Sequence, residues 1–546
     1  MALPPRDTIL LTGSYSDEED ISWKVRRSAA KVVYALIGTR NDLLVDFYKI
    51  ALPTLILRFA EREESVRLEI LASVETLLRQ TAQARTADAV ANGRNKRKRS
   101  EEMDEDGVEE TCVAVRCERS ELTNRAFACL TQVHGKLLQA TLKQLASKSV
   151  ATRQQCFELL RQTDEAQNGG LEGEAEAICS AAATAVRSVD SSASSSLAMS
   201  ALAFLATFFR HHSGRVYASH LNTLVPAIVR CMKDKLQRVN FEAFSAATAL
   251  AQSLRPQGSS SPLAVNYSTP VQALFTATTE VLGDTSVDGE VRERALDTLG
   301  HLLEHEGDAL SKDYGTAFSL ISTRLTSEAT AVTAVQVIGR IAASPLCKGK
   351  QFDSWLLEVL PEVVTALRKT RRTASKNAEF SCLQSVLTRV GRNLPADTAD
   401  ALVAELKQFI DAPMALSTIS LILSLQPSSV RAIEQQILPE TFQLLQNTDH
   451  VATIIESLVA FYASYTEANP SAAAALVSTC VDNIKPATPG AKLPDATTGG
   501  TISYTSTARC VGVVAEKSQG GLDGILSGFQ QIIKVRIVEV ILVIGG

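Results

Sequence analysis

The stretch that decides the fold is residues 15–81, YSDEEDISWKVRRSAAKVVYALIGTRNDLLVDFYKIALPTLILRFAEREESVRLEILASVETLLRQT. Val25, Ala29, Val32, Val33 and Leu36 fall at i, i+4, i+7, i+8 and i+11, one apolar stripe on a helix of period 3.6. Asp20 and Ser22 stand ahead of it as candidate caps, and the acidic run Asp17–Asp20 suits the positive end of a helix dipole. A second helix follows with Leu43, Leu44 and Phe47, and Pro53 predicts a bend or break in it, because proline lacks the N–H and fixes φ. Then the first pattern returns as Val66, Ile70, Val74, Leu77 and Leu78, and Val25-Arg26 recurs as Val66-Arg67. A repeat of roughly 40 residues with two helices per unit marks a HEAT-type solenoid. One amphipathic pair cannot bury its apolar face alone, so copies stack and share a continuous core. The fold class expected is all-α, an α-α superhelix of the right-handed HEAT-repeat kind.

The pattern continues along the chain. Residues 82–111 interrupt it with the basic cluster Arg94, Lys96, Arg97, Lys98 and Arg99, answered by seven acidic residues between Glu101 and Glu110. So little apolar content predicts a disordered charged insertion, with the basic run as a candidate nuclear-localisation signal or a solvated loop. Repeats resume at Thr123; Arg153 of KSVATRQQCFELL, Arg238 of the pair after Pro226, and Arg292 of EVRERALDTLGHLL take the place of Arg26 and Arg67. Pro53, Pro226, Pro361 and Pro439 all sit in first helices, the first three at similar separations ahead of Arg67, Arg238 and Lys376. The organisation expected is repeats over 1–81, the insertion over 82–111, repeats over 112–482, a Pro/Gly/Thr-rich loop over 483–501 and a partial, shortened repeat over 502–546. Nine to eleven helix pairs result.

Composition narrows function. A net charge of −5 argues against a general nucleic-acid binder. The 10 cysteines lie mostly inside apolar helical runs without zinc spacing, which predicts buried free thiols in a reducing compartment. The apolar C-terminus IIKVRIVEVILVIGG carries Lys534, Arg536 and Glu539 and is shorter than the ~20 residues that span a bilayer. No signal peptide opens the chain, so an intracellular protein without membrane contact is expected.

Candidate chemistry is sparse. HLLEH (301–305) fits H-x-x-E-H, in which two histidines at i, i+4 bind zinc and the glutamate is the base. The apolar stripe of that helix is Val291, Ala295, Leu299 and Leu302, which points His301 and His305 toward solvent, and no third ligand suggests itself. His211-His212 closes a helix before Ser213-Gly214, where partly charged histidine suits the negative dipole end. No catalytic, cofactor-binding or metal residues are assigned, and no enzyme is expected. The arginines at the repeat position are read as ties between repeats, with Asp20 and Glu64 placed to receive them; the rival reading is a ladder that meets a partner.

The chain resembles the cullin-associated, neddylation-dissociated family of HEAT-repeat proteins, also called TATA-binding-protein-interacting. YSDEEDISWKVRRSAAK and DFYKIALPTLILRFAEREESV carry the resemblance most specifically, through Trp23, Phe47-Tyr48 and Phe59–Glu64. KSVATRQQCFELL, LVPAIVRCM, IAASPL and SYTSTARCVGVV follow in the family's order, and the whole covers roughly residues 14–518. The resemblance implies a non-catalytic regulator of cullin–RING ubiquitin ligases. It would bind the unmodified cullin with its RING subunit and promote exchange of substrate receptors, in the cytoplasm and nucleus. The chain corresponds to the middle of the family's solenoid, which implies either a shortened product or a fragment completed by a separate chain carrying the N-terminal repeats. The alternative use of the same rod is a carrier or scaffold of the nuclear-transport-receptor or phosphatase-scaffold kind.

Overall fold

The computed structural model describes residues 22–98, 109–187, 192–255, 261, 263–369, 373–446, 448–484, 500–528 and 530. The side chains at 88–98, 109–119, 192, 265, 373–375, 446, 448–452, 481–484 and 500–504 lie outside that description. Antiparallel helix pairs fill two compact units, 1–256 and 257–546, and no strand occurs among the described residues.

In the first unit Ser22–Thr39 precedes four pairs. Residues 44–57 pair with Glu64–Lys98, Glu109–Leu145 with Val150–Gln167, Ala175–Arg187 with Ser192–His211, and Leu221–Met232 with Gln237–Leu254. The second helices form one layer: Ser22–Thr39 packs on Glu64–Lys98, then come Val150–Gln167, Ser192–His211 and Gln237–Leu254. The second unit repeats this plan in six pairs, from Val265–Gly283 with Gly289–Glu306 to Ala473–Ile484 with Gly500–Lys517. Its second helices Gly289–Glu306, Ala331–Ala343, Thr373–Val390, Pro413–Leu425, Thr448–Ala468 and Gly500–Lys517 stack in that order. Ten pairs among the described residues fall within the expected number. Each unit is a helical solenoid of the HEAT kind, whose core is a seam between two layers.

The apolar stripes form that seam. Val66, Ile70, Val74, Leu77 and Leu78 are all buried, as are Leu197, Ala201, Leu202 and Leu205. Close approach is enforced where side chains vanish: a Cβ on Gly339 would stand 2.8 Å from the Cα of Cys382 on the next second helix. The second unit also holds an aromatic stack, Phe318 on Trp355 with centroids 4.3 Å apart, flanked by Tyr314 and Phe352.

Several expectations change. The Ser22–Thr39 helix buries Ala30 and Ile37, whereas Val25, Val32 and Leu36 of the expected stripe are exposed. The helix turns Ala30 and Ile37 toward Glu64–Lys98, from which Ser73 Oγ and Gln80 Nε2 donate to their carbonyls. The buried face of Gly500–Lys517 is Ser506, Thr507, Cys510 and Val514. Glu64–Lys98 runs on past 81 as one helix, since Ala, Arg, Gln and Lys hold helical backbone without apolar periodicity. Arg85 anchors this extension, donating to the Ala166 carbonyl and covering the Phe127 ring. Residues 99–108, most of the acidic run, lie outside the described residues.

The prolines behave individually. Pro53 does not break its helix; the turn before it, Phe47–Ala51, widens into a π turn that absorbs the missing N–H and the ring. Pro226 and Pro361 sit inside uninterrupted helices. Before Pro439 the chain does break, between Val430–Gln436 and Leu438–Gln446.

Candidate interaction surface and the joints between repeats

The recurrent arginines do not act alike. Arg26 donates to Glu61 Oε1 at 3.1 Å, tying the first helix to the loop of the next pair. Arg67 donates to Thr152 Oγ1 at 3.1 Å and to the Glu61 carbonyl at 2.9 Å, so it reaches both its own loop and the following repeat. Arg153 and Arg292 are half-buried, and Arg238 is exposed. Glu64, expected as an arginine partner, instead accepts from the Ser149 hydroxyl, which also caps Val150–Gln167 by accepting from the Thr152 N–H. Asp20 lies outside the described residues. Val25 is exposed and Val66 buried. Arg94, Lys96, Arg97 and Lys98 are on the Glu64–Lys98 helix, with side chains outside the description, and Arg99 lies beyond it.

A second ladder escaped the sequence. At one joint after another, a long donor reaches back about one repeat to carbonyls at the end of a helix or in the loop just after it. Gln80 Nε2 donates to Ile37 O at 2.7 Å, Arg230 Nη1 to Arg187 O at 3.0 Å and Arg324 Nη2 to Leu282 O at 3.0 Å. Arg389 Nη2 donates to Cys347 O at 2.6 Å. Gln426 Nε2 meets three carbonyls, Gly391, Arg392 and Leu394, between 2.9 and 3.1 Å. The last carbonyls of a helix have no partner within it and carry partial negative charge, so a cation or amide from the next repeat satisfies them. Arg and Gln share the role, which hides it from a search for one residue type.

The histidine pair at 211–212 is a built joint. Asp164, fully buried at the end of Val150–Gln167, accepts from His211 Nδ1 at 2.9 Å and from His212 Nε2 at 2.8 Å. His212, also fully buried, meets Glu172 Oε1 through Nδ1 at 3.1 Å and packs on Phe208 with centroids 4.4 Å apart. Burial pulls the His212 pKa down, but the hydrogen bonds and charges of Asp164 and Glu172 outweigh it and leave it raised. The loop between, Asn168, Gly169 and Gly170, turns through three positive φ values of 55°, 117° and 93°, and His134 Nε2 holds the Gly170 carbonyl at 2.9 Å. Only glycine adopts the latter two without strain. The dipole reading of His211-His212 thus gives way to a carboxylate clamp between repeats.

The HLLEH motif also departs from expectation. His301 and His305 do not face open solvent; each side chain is 15% exposed. Their neighbour is Arg340 of the next second helix, whose Nη2 lies 3.0 Å from Asp297 Oδ1 and whose Nε lies 3.6 Å from Glu304 Oε2. A hydrolytic site on this pattern keeps its glutamate for a water molecule. Here Glu304 is engaged by Arg340 and both imidazoles.

Six buried cysteines among the described residues are poor nucleophiles. Burial pushes the thiols of Cys156, Cys179, Cys231, Cys347, Cys480 and Cys510 up to about 12, and only a thiolate attacks. What remains conspicuous is apolar surface. Val25, Val32 and Leu36 on Ser22–Thr39, with Ile50 and Leu57 on residues 44–57, are exposed in the first unit's opening turns. Among the described residues, the helix with membrane-spanning length and composition, 193–211, is mostly buried among its neighbours.

Comparisons with known proteins agree with these repeats. Residues 128–299 match the family described as CAND1-like, TPR repeats. The mouse protein "Cullin-associated NEDD8-dissociated protein 2" is 31% identical over 440 residues, which cover 79% of this chain and 33% of the relative. "Cullin-associated NEDD8-dissociated protein 1, C-terminal part" of Emericella nidulans is 26% identical over 484 residues, covering 81% of this chain and 45% of that protein. The chain therefore spans between a third and a half of the length of these relatives. A crystal structure of importin beta shares the fold with a TM-score of 0.52 at 11% identity, covering 96% of this chain and 64% of importin beta. At that identity it speaks for helical repeats alone and does not favour a transport-receptor role. The sequence relationship is of another order: over about four fifths of its length the chain is similar to proteins named as cullin-associated and NEDD8-dissociated, and it matches part of their length.

Proposed function

We propose that this chain is a non-catalytic scaffold that binds an unmodified cullin with its RING subunit and takes part in exchanging substrate-receptor modules. The observation that carries this reading is the relationship over 440 residues to a protein named for cullin association and dissociation from NEDD8. The architecture is of the right kind. A stack of repeats offers a long surface on which many modest contacts add up around a few buried anchors. The basic run Arg94, Lys96, Arg97, Lys98 and Arg99 would serve nuclear entry, giving a protein of cytoplasm and nucleus.

The same proposal includes a companion chain carrying further repeats on the N-terminal side. Val25, Val32, Leu36, Ile50 and Leu57 expose apolar surface where interior repeats are covered. The Emericella relative is itself named as a C-terminal part. The test is a pull-down of purified 1–546 on a cullin–RING core, with and without NEDD8 attached, and with the relatives' N-terminal repeats added as a separate chain. Retention on the unmodified core, strengthened by the added chain, is the expected result. Absence of binding in every lane rejects the cullin role and leaves the solenoid standing.

A further inference from the structure

We propose that His301, Glu304 and His305 form a binding site for one divalent transition-metal ion, zinc by its donor set. The three residues lie at i, i+3 and i+4 of Gly289–Glu306, one turn of one helix face, and each offers a donor atom within 4.8 Å of the other two. Both imidazoles converge on one oxygen: His301 Nδ1 lies 3.2 Å and His305 Nε2 3.6 Å from Glu304 Oε2. An ion bonded to each donor at about 2.0–2.2 Å needs only small side-chain movements to draw them together. Two imidazole nitrogens and one carboxylate oxygen are a set that zinc accepts, with further positions left to water.

A second observation separates this trio from a chance pair of histidines. His301 Nε2 stands 3.9 Å from Asp297 Oδ1, one helical turn back, beyond hydrogen-bond distance but close enough for the carboxylate to close on it when the ring is drawn to an ion. Metal-bound histidines commonly present their second nitrogen to a carboxylate, which fixes ring orientation and raises the basicity of the ligating nitrogen. Asp297 is in turn fixed by Arg340 Nη2 at 3.0 Å. Arg340 is the opposing charge, since its Nε also stands 3.6 Å from Glu304 Oε2. Two carboxylates, Asp297 and Glu304, stand here against one guanidinium, so a divalent cation is still attracted. The rings are nearly parallel, 20° apart, and 15% exposed, so an ion enters from the surface without opening the core. Because Glu304 is a ligand here, the site lacks the free base of a peptidase and binds without hydrolysing.

The test uses the untagged full chain freed of metal, titrated with zinc chloride against a chromophoric chelator, with X-ray absorption at the zinc edge on the loaded protein. One equivalent should bind, with a nitrogen- and oxygen-only shell containing two imidazoles. His305→Gln and the double change His301→Ala/His305→Ala should abolish that equivalent. Asp297→Asn, which leaves all three ligands in place, should weaken it about 10–100-fold. Circular dichroism checks that each variant keeps its helices, and His211→Gln serves as a control at a remote histidine. No stoichiometric uptake by the unmodified chain, or uptake that survives the double change, overturns the proposal, as does a shell containing sulfur.

Discussion

Two second helices of equal length make the instructive pair. Ser22–Thr39 carries Val25, Val32, Val33, Leu36 and Ile37, while Val150–Gln167 is poorer in apolar side chains and richer in Gln, Thr and Glu. Yet Val150–Gln167 is the buried one. It lies between Glu64–Lys98 and Ser192–His211, and even Thr152, Gln162, Thr163 and Asp164 are withdrawn from water. The first helix has Glu64–Lys98 on one side, and it buries only Ala30 and Ile37. Burial in a solenoid is thus set by how many neighbours flank a helix as much as by what the helix is made of. Polar groups in a covered joint must then be paired, and the clamp of Asp164 on His211 and His212 does this.

If neighbours decide, damage in a covered joint should far exceed damage on the open face. Phe208→Ala removes a fully buried ring that packs on Phe204, His212 and Tyr217, and should cost about 3–5 kcal/mol in denaturant unfolding. Asp164→Asn leaves His212 buried beside a neutral partner and should cost about 3 kcal/mol. It should also change the pH profile. The folded pKa of His212 is raised, so its contribution is fully present below the unfolded value of about 6.5 and fades as pH rises through the higher folded value. The melting temperature of the unmodified chain should therefore fall between neutral and mildly alkaline pH, and Asp164→Asn should flatten that slope.

Smaller effects sharpen the contrast. Gly339→Ala forces a Cβ against the Cys382 backbone and should destabilise by about 1–3 kcal/mol, read from thermal unfolding. Gln426→Ala frees three carbonyls that water can still reach in part, and about 1 kcal/mol is expected from urea titration. The double change Val32→Ser/Leu36→Ser should leave stability within about 0.5 kcal/mol, because both side chains already meet water. Its effect should appear instead as weaker association with a chain of N-terminal repeats, measured by analytical ultracentrifugation. A large loss of stability from this pair would mean that the face is covered within the chain and would dissolve the comparison.

The sequence by itself determined the helices, their pairing and the seam. Apolar stripes of helical period, returning once per repeat, are local signals, and a stripe such as Val66–Leu78 has one way to escape water. The family was legible for the same reason, in residues such as Trp23 and Phe47-Tyr48 that a generic repeat does not require. What the tertiary structure decided is which side of each helix meets which neighbour. No local pattern states that Ala30 and Ile37 outrank Val25 and Val32, because the choice depends on the contour of a helix in the next repeat. The carbonyl ladder was hidden likewise, since Gln80, Arg230, Arg389 and Gln426 share a geometric task and no residue type. The cluster at His212 also needed three dimensions, since Asp164 comes from the preceding repeat, and at His301 the local trio was legible but its cation Arg340 was not; charge acts through space and not along the chain.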